Sequence, residues 1–244
     1  AAAMEQIQGM LGNIPLYCVV AEFAGVGLFQ FFGGGASANS VATGLPTAAL
    51  GNGLCLAVLI YATAGISGGH LNPAVSAAFY MTNRLSSRRF WLYTAAQFAG
   101  AIVGAVVLRL SLPPVFLATP FTTVGSLTAA HPVQVFLLEF VCTFVLVYTV
   151  FATAVDRKGA AMNAAPLVIG LSVCAGVFAE GPFTGGSMNP ARSVGAAIAF
   201  WDFGHLLIYL FATYLGGICA GMTYDKVFLE DVQPAESGDR DEDE

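Results

Sequence analysis

The sequence predicts an all-α membrane protein with six transmembrane helices and two re-entrant half-helices, arranged as two inverted three-span repeats. Three observations carry that prediction. The 244 residues are 57% hydrophobic and only 10% charged, whereas soluble domains carry about 25% charged residues. Six apolar segments, at about 15–32, 47–64, 90–110, 133–154, 165–180 and 205–222, approach the roughly 20 residues needed to cross a hydrocarbon core of about 30 Å. One Gly-Gly-x-x-Asn-Pro-Ala segment also occurs twice, 117 residues apart.

Each element follows from its residues. The six segments have helical length and lack the strict alternation of a β-barrel strand. The connectors set the expected orientation. Arg84, Arg88 and Arg89 lie between spans two and three, and Arg157 and Lys158 between spans four and five. Basic loops stay cytoplasmic, which places both termini on that side and agrees with an even number of spans. Little length remains for a domain outside the bilayer, which excludes catalysis in a large soluble domain, and no cleavable leader is expected at the start. Residues 1–235 are expected to form one channel-like domain, with repeat one at about 15–112 and repeat two at about 131–228. The remaining nine residues, 236–244, hold six acids and one base. They are expected to be a solvated, disordered tail. No basic stripe supports nucleic-acid binding. Cys18, Cys55, Cys142, Cys174 and Cys219 show neither metal nor disulfide spacing and read as small buried hydrophobes. No metal or cofactor is expected.

The repeat has a common ruler. Glu22 precedes Asn72 by 50 residues, and Glu139 precedes Asn189 by the same distance. Three spans per half is an odd number, so the second half inserts upside down, and inverted repeats place their site near the midplane where the halves meet. In each Asn-Pro-Ala segment the Asn suits a helix N-cap and the Pro suits the first helical position, whose missing N–H is not needed. A single copy is an ordinary helix start. Two copies in inverted halves predict two half-helices that enter from opposite faces and meet at mid-bilayer, carried by Asn72, Pro73, Ala74, Asn189, Pro190 and Ala191. Irregular backbone at that depth must be buried in protein or line a watery cavity. The loops containing Gly68, Gly69, His70, Gly185 and Ser187 are therefore expected to line a pore.

The chemistry expected there is that of a filter. Two half-helix dipoles and two Asn amides present positive potential and N–H donors at the midplane, a barrier to cations but not to neutral molecules. No nucleophile, general base or metal cluster accompanies them, so an enzyme has no residues to support it. Glu22 and Glu139 are the two acids placed deep in spans. Their symmetry suggests carboxylates that brace the two loops rather than a proton relay, although an intramembrane acid is by default a functional candidate. His70 either faces the pore or satisfies loop carbonyls.

The paired His-Leu-Asn-Pro-Ala-Val (70–75) and Met-Asn-Pro-Ala-Arg-Ser (188–193) segments, the Glu-Phe pairs at 22–23 and 139–140 and the six-span layout together resemble the aquaporin, or major intrinsic protein, family. The segments 66–70, 147–154 and 181–189 are most similar to plant tonoplast intrinsic proteins. The resemblance implies a homotetramer in the lipid bilayer with one pore per subunit. It also implies a four-residue selectivity filter at Asn52, Val177, Gly186 and Arg192, with His131 a candidate for an extended filter. Strict water channels of the family carry an aromatic residue and a His at the first two positions, so a wider filter is expected here. It would pass water and small neutral solutes such as ammonia, urea, hydrogen peroxide and glycerol while excluding protons and ions. Ser193, rather than an Asp, after Arg192 and the absence of Pro around Ile208-Tyr209 favour water first. The family resemblance implies a vacuolar or other internal membrane, with the plasma membrane as alternative. A water-strict or gated channel, a proton-coupled transporter and a non-conducting structural protein remain the competing readings.

Overall fold

The computed structural model describes residues 13–116 and 131–229. Among these residues the secondary structure is entirely helical: α1 (Leu16–Thr43), α2 (Leu45–Ser67), α3 (Pro73–Met81), α4 (Ser87–Ser111), α5 (Pro132–Val150), α6 (Ala165–Thr184), α7 (Pro190–Phe200) and α8 (Leu206–Phe228), with short 3-10 turns at Pro114–Phe116 and Met162–Ala164. α5 continues as a single π turn over Phe151–Val155. Six of these helices are long and apolar enough to cross a membrane, while α3 and α7 are the half-helices. The acidic segment 236–244 lies outside the described residues.

Most boundaries agree with the hydropathy, but α1 does not. It runs to Thr43, eleven residues past the apolar segment, so the small and polar stretch from Gly33 to Ser40 is helix rather than loop. This stretch packs on neighbouring helices instead of facing lipid: Ala38 is buried against Leu108, and Gly51 of α2 sits against Ala36. Gly44, at φ 88°, then ends the helix in a conformation that favours glycine.

The halves pack as mirror assignments of one plan. α1 lies on α2 and α4 in repeat one, and α5 lies on α6 and α8 in repeat two. Each half-helix crosses over, α3 packing on α8 and α7 on α4, so neither repeat completes its own core. At the centre α2 meets α6 through Gly53 and Gly170, which are 117 residues apart. A Cβ built on either would stand 2.3 Å from the other's carbonyl oxygen. Small residues of this kind let helices approach where lipid provides no hydrophobic drive for association. Outward faces are lined by large apolar side chains such as Val58, Leu110, Leu207 and Phe211, the surface a bilayer accommodates. Of the cysteines, Cys18, Cys142 and Cys174 are buried, but Cys55 is half-buried and Cys219 is exposed on α8, correcting the expectation that all five are interior.

Candidate functional site: the pore between two Asn-Pro-Ala loops

Both loops adopt the same backbone. α2 ends at Gly68 (φ 96°) and α6 at Gly185 (φ 92°), each in the left-handed region, followed by Gly69 (φ 61°) and Gly186 (φ 71°). A side chain is unfavourable in this conformation, and Gly186 also has Val177 pressed against it, with a built Cβ 3.2 Å from a Val177 methyl. Leu71 and Met188 sit at φ 49°, a strained conformation for such side chains. Their fully buried side chains hold it, and it aims their carbonyls across to the opposite half.

Those carbonyls form the junction. Asn72 Nδ2 donates to Met188 O at 2.9 Å, and Asn189 Nδ2 donates to Leu71 O at 2.9 Å. Each Asn also caps its own half-helix, Oδ1 accepting from Ala74 N (2.8 Å) and Ala191 N (2.9 Å), with Pro73 and Pro190 at the first helical positions. An Asn amide has two N–H donors. One is spent on the cross-bond, which leaves one on each Asn for the cavity that both residues line. α3 and α7 converge there with their positive ends.

Buried carboxylates hold the loops. Glu22 Oε1 accepts from Ser67 Oγ (2.6 Å) and His70 N (3.0 Å), and Oε2 accepts from Leu71 N (2.7 Å) and Gln97 Nε2 (2.8 Å). Glu139 accepts from Thr184 Oγ1 (2.8 Å), Ser187 N (2.9 Å) and Met188 N (2.9 Å). His70 packs against Tyr93 and Phe79, with Nδ1 3.1 Å from Ser76 Oγ, and it also lines the cavity. Ser187 Oγ stands 2.6 Å from Ser193 Oγ at the equivalent place in repeat two.

A cavity of about 520 Å³ runs from the connector after α5, at Asp156 and Arg157, past Gly68, Gly69 and His70 to both Asn residues, and reaches Arg192. Gly185 is not among the residues that line this cavity. Asn52, Val177, Gly186 and Arg192 come together beyond the Asn pair, all buried. Arg192 Nη1 donates to Gly186 O and Ser187 O, each at 3.3 Å, Nη2 donates to Asn52 Oδ1 at 2.5 Å, and the guanidinium lies 4.7 Å from the Phe29 ring centre. His131 is exposed at the N-terminus of α5, and no described contact joins it to this group.

Sequence reasoning missed several of these residues. Ser67, Thr184 and Gln97 bind the bracing carboxylates, and Phe29 lies under the guanidinium. Glu180 is a third acid at membrane depth, wholly buried beside the Cys142 thiol, and neither carboxylate oxygen accepts from an N–H or O–H of the described residues. It was legible only as the end of the fifth apolar segment. α6 runs four residues further, to Thr184, which draws Glu180 one turn inside.

Six spanning helices, two half-helices capped by Asn and a cavity threading both caps define a polytopic membrane channel built from two inverted halves. The chain belongs to the major intrinsic protein family, whose model matches residues 15–224. It is 37% identical to aquaporin TIP2-3 of Zea mays over 95% of this chain and 96% of that protein. It is 39% identical to the probable aquaporin TIP3-2 of Oryza sativa, over 80% of this chain and 72% of the relative. Among solved structures, the aquaglyceroporin from Plasmodium falciparum superposes with a TM-score of 0.76 at 26% identity, over 88% of this chain and 98% of that one. The protein is thus an integral multi-pass membrane channel of the aquaporin family and not an enzyme.

Proposed function

We propose that the protein is a passive channel that conducts water first and small neutral solutes (ammonia, urea, hydrogen peroxide and glycerol) second, and rejects protons and ions. The observation that carries this reading is the reciprocal pair of Asn bonds, which leaves one amide N–H from each half facing a single cavity. A water that accepts from both amides must turn its own hydrogens away along the pore, which breaks a continuous proton relay, and two half-helix dipoles oppose cations at the same point. Arg192 adds a fixed cation at the end of the cavity, with Asn52, Val177 and Gly186 completing the filter.

The contact between Asn52 and Arg192 favours water over larger solutes. The space left by a short Asn is filled by a guanidinium, so the filter is narrower than Asn and Val alone imply. Proton coupling would need a titratable group in the path. His70 lines the cavity, but its Nδ1 is engaged with Ser76. By the basic-loop argument both termini are cytoplasmic. Likeness to proteins named as tonoplast-type supports a homotetramer in a vacuolar or other internal membrane, built from residues 1–235 as one channel domain. His131 would reach the filter only through residues outside those described.

Proteoliposome light scattering under urea, glycerol and ammonium gradients tests the solute range. Water permeability well above that of each solute is expected, and equal rates would contradict the order. Arg192→Val should raise urea passage and proton leak roughly tenfold, equivalent to about 1.4 kcal/mol of lost barrier. Unchanged selectivity would remove Arg192 from the filter.

A further inference from the structure

Asn52 has both amide hydrogens and its carbonyl oxygen engaged. Its two amide hydrogens go to Ala48 O (2.8 Å) and Ser37 Oγ (3.0 Å), and its oxygen accepts from Arg192 Nη2. The opposite amide orientation would set an –NH2 against a guanidinium and leave Ala48 O facing an oxygen, so the network admits one orientation. Ser37 is itself fixed, its hydroxyl donating to Gly33 O at 3.0 Å. Gly33 makes room for the bond: a Cβ there would stand 2.4 Å from Asn52 Oδ1. The guanidinium also lies over the ring of Phe29, one turn before Gly33 on α1.

Phe29, Gly33 and Ser37 are spaced four apart and therefore form one stripe along α1. We infer that this stripe and Asn52 form a clamp that pins Arg192 across the filter, with Ser37 a positioning residue that acts through the Asn52 amide. Pore selectivity is then set in part by a side chain that belongs to none of the four filter positions. Asn52 offers a passing solute no spare N–H donor. It spends its polarity holding the cation in place, and the width of the filter is that of the clamped guanidinium.

This inference rests on the channel reading, and the experiment separates the two. Water and urea permeabilities are measured in proteoliposomes of the wild-type chain, Ser37→Ala, Ser37→Thr and Asn52→Ala. In Ser37→Ala the urea-to-water ratio should rise about fivefold, the shift that loss of one neutral hydrogen bond supports. Asn52→Ala should raise it further, and Ser37→Thr, which keeps the hydroxyl, should return it to the wild-type value. A merely structural role for Ser37 would lower both permeabilities together and leave the ratio unmoved. If wild-type water flux is fast and the ratio stays constant in Ser37→Ala and Asn52→Ala alike, the clamp is overturned while the channel stands. If Ser37→Ala fails to fold, Asn52→Ala against Ser37→Thr decides by the same ratio. If the wild-type chain conducts no water, the channel reading fails and the clamp falls with it.

Discussion

Glu22 gathers four hydrogen bonds and Glu139 three, although each is the bracing acid of its own pore loop. Three residues after each pore Asn the halves diverge more: repeat one has Val75 and repeat two has Arg192. Their surroundings follow suit. Arg192 meets Phe29 and Asn52, whereas the positions 117 residues further on, Leu146 and Ile169, belong with Val75 to one apolar cluster. Both halves thus keep the caps, the half-helix dipoles and the crossed amides, the features proposed to block ions at the midplane. The proposed filter stands at one end of the pore only, with Asn52 and Phe29 of repeat one meeting Arg192 of repeat two. In the proposed function the symmetric loops supply the barrier to charge, and the asymmetric surroundings supply the selective end.

The largest expected effect breaks the bracing. Glu22→Leu strands four donors and Glu139→Leu three. Each stranded buried donor costs about 1–3 kcal/mol, so both variants should lose most of their folded yield in detergent, Glu22→Leu the more severely. Equal or reversed losses, read by size-exclusion and thermal melts, would show that the bond count does not rank the two halves. Next in size, Val75→Arg places a guanidinium among Leu146 and Ile169 with neither the Asn nor the ring that serves Arg192. An uncompensated buried charge costs several kcal/mol. Water flux should vanish or folded yield should fall, and a conducting Val75→Arg pore would mean that the halves are interchangeable.

Asn72 and Asn189 were legible because capping chemistry is local: Asn, then Pro, then a short apolar run, twice at one offset. The same ruler picked out Glu22 and Glu139. The end of α1 was not legible from hydropathy, because the polar run from Gly33 to Ser40 is helical through packing on α2 and α4 rather than through lipid exposure. Gln97, Phe29 and Ser37 act through partners 75, 163 and 15 residues away in the chain, and no periodicity announces such pairings. The expected wide filter rested on the sizes of Asn52 and Val177. It did not allow for a bond from Asn52 to a residue 140 positions away.

Smaller changes sharpen the difference between the acids. Gln97→Met removes one of the four donors to Glu22 and should lower stability by about 1 kcal/mol, with water flux retained. A loss as large as that of Glu22→Leu would mean that Gln97 organises more than this bond. Glu180→Gln is the mildest. An acid that meets only a weak thiol donor among the described side chains contributes little, and replacing it with a neutral amide should be neutral or stabilising by up to about 1 kcal/mol. A clear drop in melting temperature would give Glu180 a structural role that its described contacts do not.

Under the proposed function, the crossed Asn amides pass water and stop protons. Stopped-flow shrinkage of proteoliposomes under a sucrose gradient, with a pH-sensitive dye sealed inside the same vesicles, tests it most directly. The account predicts fast, low-activation-energy water flux with proton entry no greater than in empty liposomes. Water permeability at the empty-liposome rate, or proton entry that rises in step with water flux, would contradict it.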